Sequence, residues 1–171
     1  MVLEIGPEAI TVKVLTISDR SFAGSREDMS GPAAAGMLRD AGYGRVDLEI
    51  VPDGSEAVES ALREAIAAGV DLVLTLGGTG VGPRDETPEG TRPIIETELP
   101  GISEGLRRSG EAAVSTAILS RGVAGVTAAT GSGHRTLVVN LPGSTGGARD
   151  GIAYLMPVLP HLVAQLRGGD H

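Results

Sequence analysis

With 171 residues and 41% hydrophobic content, the chain is long enough for one domain with a sizeable core. A formal net charge of −8 and a scarcity of aromatics (Phe22, Tyr43 and Tyr154) leave neither the basic stripe nor the stacking platform of a nucleic-acid binder, so a small-molecule partner is expected. The absence of cysteine excludes disulfides, thiolate metal sites and cysteine nucleophiles, and His134, His161 and His171 are too scattered for a metal site.

The start, "MVLEIGPEAI", has no basic segment followed by a long apolar one, and no apolar run approaches the roughly 20 residues of a membrane span. A cytoplasmic protein with no membrane partner is expected. From Thr11, "TVKVLTIS" reads as a strand, and "DRSFAGSREDMSGP" as a loop leading to a helix start at Ser30 to Pro32. In that helix Ala34, Met37, Leu38 and Ala41 share a face, and Gly42 ends it. "VDLEIV" is a second strand. The next helix carries Val58, Ala61, Leu62, Ala65 and Ile66 as a stripe, with Glu59 and Arg63 paired four apart and Gly69 at its end. "DLVLTL" is an apolar run suited to a strand buried on both faces.

After a glycine loop, Thr87, Pro88 and Glu89 supply an N-cap, an N1 proline and a first-turn acid for another helix. "GVAGVTAATGSGHRTLVVNLPG" reads as two strands around a Gly-Ser-Gly turn. The chain closes with helical Ile152, Leu155, Met156 and Leu159, which Pro157 and Pro160 kink or divide. Alternating strands and helices predict a single domain over 1–171, a three-layer αβα sandwich with a mostly parallel sheet.

The loop in "LVLTLGGTGVGPRDETPEGT" fits neither familiar phosphate-binding template. Gly82 is followed by Pro83 and Arg84, where a Walker loop needs lysine and a hydroxyl, and it stands too close to Gly80 for the dinucleotide fingerprint. The shared physics survives: a buried strand ending in glycines offers backbone N–H groups to an anion.

In open α/β sheets ligands lie beyond the carboxyl ends of the strands. Those ends carry Ser18, Asp19 and Arg20, then Pro52 and Asp53, the glycine loop, and "NLPGSTGG". Singly, Asp53 reads as a turn residue before the helix at Ser55, and Asp85 as a cap of its own loop. Together, two carboxylates beside a phosphate loop suit Mg²⁺ on a polyphosphate. Asn140 and Ser144 have turn-fixing alternatives, and Arg121 reads equally as a solvated charge. A glycosidase acid pair would leave the glycine loop without a purpose.

"TISDRSFAG", "DMSGP", "VPDGSEAV", "TLGGTGVGPRDETPEGT", "PG" at Pro100, "TAILSRGVAGV" and "LVVNLPGSTGGARDG" together give the chain a resemblance, over nearly its whole length, to the molybdopterin adenylyltransferases of molybdenum-cofactor biosynthesis. That resemblance implies a molybdopterin-binding fold, transfer of AMP from ATP to the terminal phosphate of molybdopterin with loss of pyrophosphate, and a requirement for Mg²⁺. It further implies a homotrimer or homohexamer, and a separate protein that inserts molybdate afterwards.

By the same resemblance, Asp53 and Asp85 match the catalytic, metal-associated aspartates. Ser18, Asp19, Arg20, Asp28, Ser30, Gly31, Gly77, Gly78, Thr79 and Gly80 match the nucleotide and phosphate region. Ser120, Arg121, Asn140, Pro142, Gly143 and Ser144 match the molybdopterin side. Thr145 departs from the proline that relatives often carry there. The competing readings are a non-catalytic paralogue that binds molybdopterin or adenylate, and the related nucleotide-hydrolysing domain of competence-damage proteins.

Overall fold

A computed structural model describes residues 5–169; residues 1–4, within the N-terminal stretch read above, and residues 170–171, which include His171, lie outside the described residues. In chain order the elements are β1 (Thr11–Ile17), α1 (Asp19–Phe22), α2 (Ser30–Asp40), β2 (Arg45–Val51), α3 (Ser55–Ala67), β3 (Leu72–Leu76) and α4 (Thr87–Thr91), then β4 (Ile95–Glu98), α5 (Pro100–Glu111), β5 (Ala124–Thr127), β6 (Leu137–Leu141), α6 (Thr145–Leu155) and α7 (Leu159–Leu166). They form one sheet in the order β2-β1-β3-β6-β5-β4. β2, β1, β3 and β6 are mutually parallel, whereas β5 runs antiparallel to both β6 and β4.

The pleat divides the core in two. On one face Val12, Val14, Leu72, Leu74 and Leu76 pack with Ala34, Leu38, Ile152, Leu155 and Leu159 from α2, α6 and α7. On the other, Leu15, Ile17, Val73 and Val138 pack with Val58, Leu62 and Ala65 of α3. Successive strand residues serve opposite layers, so all five residues of β3 are buried, as its continuous apolar run predicts. Each fully buried leucine contributes about 1.5–3 kcal/mol relative to exposure. The molecule is therefore the expected three-layer αβα sandwich.

Strand order also locates a crevice. From β1 the chain passes through α2 to β2 at one edge, then returns through α3 to β3 on the far side of β1. The carboxyl ends of β1 and β3 thus flank the point where the winding reverses, where ligands bind in such sheets.

Several local expectations need correction. The segment after β1 is not all loop: Ser18 accepts a hydrogen bond from the backbone N–H of Ser21 and starts the one-turn α1. Ala41 lies just past α2, at its C-cap, and is exposed, while Ala35 joins the core. Thr87 is not an N-cap, because its hydroxyl donates to Gly77 O at 2.8 Å and ties the new helix back to the glycine loop. That helix lasts five residues before Pro93 turns the chain into a 3₁₀ segment and β4. Both β4 and α5 escaped the sequence reading. β4 is an edge strand with three of its four residues exposed, and α5, although amphipathic, sets just two large apolar residues, Ile102 and Leu106, against the core among glycines and charges, so neither offers a long apolar run. The last helix does divide near Pro157, into α6 and α7.

Candidate functional site

The glycine loop begins where β3 meets its neighbours' ends. Gly77 has φ +112° and donates to Leu141 O at 3.0 Å. A Cβ on Gly77 would lie 2.5 Å from Ile17 O, and one on Gly143 would lie 3.0 Å from Gly77 Cα. The three strand-end loops therefore pack backbone against backbone, which requires glycine. Gly78 follows at φ +66°, with Thr87 Oγ1 in the space a side chain would need. The N–H groups of Gly78, Thr79 and Gly80 donate to no acceptor among the described residues, and an anion is the natural partner for such a row.

Beside this loop the acids are held in a network. Asp19 and Asp53 interlock, with the N–H of Asp19 donating to Asp53 Oδ2 at 2.8 Å and the N–H of Asp53 donating to Asp19 Oδ1 at 3.1 Å. Arg84 donates to both oxygens of Asp19 and to Asp53 O. The Arg84 hydrogen bond holds the Asp19 carboxyl below its ordinary pKa. Asp85 folds back so that Oδ2 accepts from the N–H of Gly82 at 2.8 Å. Asp85 thus caps its own loop, whereas Asp53 ties two strand ends together rather than shaping its own turn. In both, Oδ1 accepts no hydrogen bond among the described residues, and both residues line the same cleft.

That cleft, about 600 Å³, is walled by Ser18 to Ser21, Arg26 to Ser30, Asp53, Gly77 to Gly80, Asp85 and Gly143 to Thr145. Five acids stand against two arginines, Arg20 and Arg26, in its wall. A polyphosphate there needs further positive charge. Among the described residues no group of three or more His, Asp or Glu forms a metal cage. Two carboxylates in one cleft, each with an Oδ1 that accepts no hydrogen bond among the described residues, nevertheless fit Mg²⁺, which takes one or two carboxylates and completes its shell with phosphate and water.

A second cavity of about 550 Å³ adjoins the cleft along Thr79, Gly80 and Ser144. Its walls come mainly from α5, the 3₁₀ segment Ser115–Leu119, the end of β6 and the first turns of α6. Leu106, Val114, Ala117 and Leu119 make it largely apolar, with Arg107 and Asp150 among its polar groups. Arg107 Nη1 donates to Ser120 O and Gly122 O. Ser144 sits on the shared ridge and accepts from the N–H of Gly147 as N-cap of α6, which leaves its hydroxyl proton free to donate.

The residues singled out from sequence converge, with four qualifications. Asp28 is engaged by Thr16 Oγ1, Ser30 Oγ and the N–H of Gly31, so it fastens the start of α2 to β1. Gly31 is buried and lines neither cavity; a Cβ there would lie 2.7 Å from Thr16 Oγ1. Asn140 does not fix a turn: it lies within β6, 4% exposed, with its amide bonded to Thr75, Thr91 and the N–H of Val123. It forms the floor of the second cavity. Arg121 lines neither cavity; its side chain is 35% exposed, yet its guanidinium is held by Gly80 O, Asp85 O and Glu89 rather than by solvent alone. Of the other residues expected on the molybdopterin side, Ser120 and Pro142 line the apolar cavity, Gly143 the polar cleft, and Ser144 both.

Two residues that line the cavities, Arg26 and Arg107, and two that brace the cleft from outside, Arg84 and Glu86, went unread. Arg84 stands next to Asp85, and its adjacency to that acid was the available signal. Arg26 lies in a loop read only as a connection, and Arg107 lies on the helix that was not recognised. Glu86 Oε2 accepts from the N–H of Ser55 at the start of α3, binding the far side of the loop to β2's exit.

The geometry is that of an open α/β sheet with a polar, glycine-lined cleft at its switch point and an adjoining, largely apolar cavity. The family model described as "Probable molybdopterin binding domain" matches residues 13–161, and the chain belongs to that family. It is 40% identical over 158 residues, 92% of this chain, to the molybdenum cofactor biosynthesis bifunctional protein of Synechococcus elongatus, and spans about half (48%) of that relative. It is 35% identical to the molybdopterin adenylyltransferase of Helicobacter pylori J99, with 94% of this chain and 90% of that protein covered. The solved structure of the molybdopterin biosynthesis Mog protein from Mycobacterium ulcerans superposes with a TM-score of 0.84 at 40% identity, covering 92% and 99% of the two chains.

Proposed function

We propose that this protein is a molybdopterin adenylyltransferase of molybdenum-cofactor biosynthesis, which transfers AMP from ATP to the terminal phosphate of molybdopterin. The observation that carries the reading is the pair of cavities meeting at Thr79, Gly80 and Ser144. One is polar with unpaired loop N–H groups and suits a triphosphate; the other is largely apolar and suits a pterin. A relative covered over 90% of its length bears that enzyme's name.

In the reaction an oxygen of the molybdopterin phosphate attacks the α-phosphorus of ATP. A new P–O bond forms, and the bond from that phosphorus to the bridging β-oxygen breaks, so that pyrophosphate leaves with the electron pair. Such transfers ask the protein mainly for alignment and charge stabilisation. The N–H groups of Gly78, Thr79 and Gly80 hold phosphate oxygens, and Arg20 and Arg26 stand at the cleft wall for the outer phosphates. Ser144 donates its hydroxyl proton at the ridge where the phosphates of both substrates meet. Asp53 and Asp85 would hold Mg²⁺ through their free oxygens, where it would supply positive charge against the phosphates. No proton acceptor is required, because the attacking phosphate is already anionic.

Among the described residues no helix is long and apolar enough to cross a membrane. A cytoplasmic location, a trimeric or hexameric assembly and hand-over to a molybdate-inserting protein belong to the same proposal. The test is to mix the protein with molybdopterin, ATP and Mg²⁺ and look for adenylylated molybdopterin by mass spectrometry. Binding of both ligands without product would favour the non-catalytic paralogue instead.

A further inference from the structure

Arg121 belongs to neither cavity wall, yet it bonds the loop that both cavities share through Thr79 and Gly80. Its backbone N–H donates to Thr79 O at 2.8 Å. Nε donates to Gly80 O at 2.7 Å, and Nη2 to Asp85 O at 2.5 Å. Nη1 and Nη2 both reach Glu89, at 2.5 and 3.3 Å. The loop leaves β3 through Thr79 and Gly80 and returns through Asp85 to α4, so one guanidinium holds both arms. Glu89 raises the pKa of Arg121, and Arg121 lowers that of Glu89. Glu89 itself lines neither cavity.

We propose that Arg121 is a positioning residue for the transfer, acting through the glycine loop: anchored by Glu89, it fixes the distance between the Gly80 and Asp85 arms, and so places Asp85 and the loop N–H groups against phosphate. The inference rests on the adenylyltransferase reading for its kinetic consequence, but the loop geometry is independent of it. Planarity matters because three directions are bonded at once; a lysine ammonium on a single stem cannot span Gly80 O, Asp85 O and Glu89 together. Misplacement of reacting groups by about 1 Å costs on the order of 100-fold in rate.

Glu89→Gln supplies the decisive variant, since among the described residues the side-chain hydrogen bonds that link Glu89 to the loop run through Arg121. We expect kcat to fall about tenfold and ATP·Mg²⁺ affinity to weaken, with the KM for molybdopterin within about twofold of wild type. Arg121→Gln should cost about 100-fold. The double variant should be no worse than Arg121→Gln alone, because coupled groups are non-additive. Arg121→Lys should recover only a small part of the activity.

Hydrogen exchange of residues 77–89, measured without ligand, should quicken in Glu89→Gln and Arg121→Gln while exchange in β1 and β3 stays at the wild-type rate. Additive losses, full rescue by lysine, a defect confined to molybdopterin, or unchanged loop exchange would each overturn the inference. If wild type makes no adenylylated product but loop exchange responds as stated, the enzymatic reading fails while Arg121 remains the clamp of the loop.

Discussion

Asn140→Ala separates a floor residue from a ligand residue. The side chain is buried, donates to Thr75 Oγ1 at 2.9 Å and Thr91 Oγ1 at 3.0 Å, and accepts from the N–H of Val123 at 3.1 Å. Truncation strands the buried Val123 N–H, which costs about 1–3 kcal/mol, and removes two further bonds worth about 1 kcal/mol each. The expected loss is about 4 kcal/mol. For a domain of this length each kcal/mol moves the midpoint of thermal unfolding by about 2–4 °C, so a fall of about 8–16 °C is expected. Thermal and urea unfolding, followed by circular dichroism, read this directly. At temperatures where the variant is folded, its affinity for molybdopterin should change much less than its stability. An unchanged midpoint together with lost molybdopterin affinity would refute the reasoning and make Asn140 a ligand residue.

Asp53→Ala and Asp85→Asn should each remove most activity while circular dichroism stays unchanged, because neither carboxylate packs in the core; wild-type turnover in a folded variant would reduce that residue to a loop-shaping role. Gly78→Ala must adopt a left-handed backbone and displace Thr87 Oγ1 from Gly77 O. It should lose at least about 2 kcal/mol by urea unfolding and weaken ATP binding by calorimetry. Asp71 gives a pH test at the opposite end of the sheet. Burial raises its pKa, but hydrogen bonds from the Thr11 N–H, Arg167 and the Thr11 hydroxyl outweigh burial and leave the carboxyl below its ordinary value. A folded pKa below the unfolded value of about 3.9 stabilises the fold fully above that pH, and the benefit is lost as pH falls through the folded pKa. Urea midpoints should therefore drop below about pH 4 in wild type, and lie lower at pH 6 but flatter in Asp71→Asn; parallel curves would count against it.

Periodicity made the layers legible, because Val58, Leu62 and Ala65, or Leu72 to Leu76, have one way to be buried. Strand ends made the cleft legible, since Ser18, Asp53 and Gly77 to Gly80 follow apolar runs whose direction is set by the crossovers. What stayed hidden was who bonds whom. Asn140 reads as a turn residue because its strand partner Thr75 and its neighbour Thr91 are distant in sequence. Arg121 is 36 residues from the carbonyl of Asp85 that it holds. Residues 95–111 are sparse in apolar side chains because they form an exposed edge strand and a helix that sets just Ile102 and Leu106 against the core.

The most direct measurement uses ATP labelled at the α-phosphorus or, separately, at the γ-phosphorus, incubated with the protein, molybdopterin and Mg²⁺. The account predicts that the α label appears in the pterin product and that the γ label leaves as pyrophosphate. Transfer of the γ label to the pterin, or release of label only as orthophosphate without any pterin product, would contradict it.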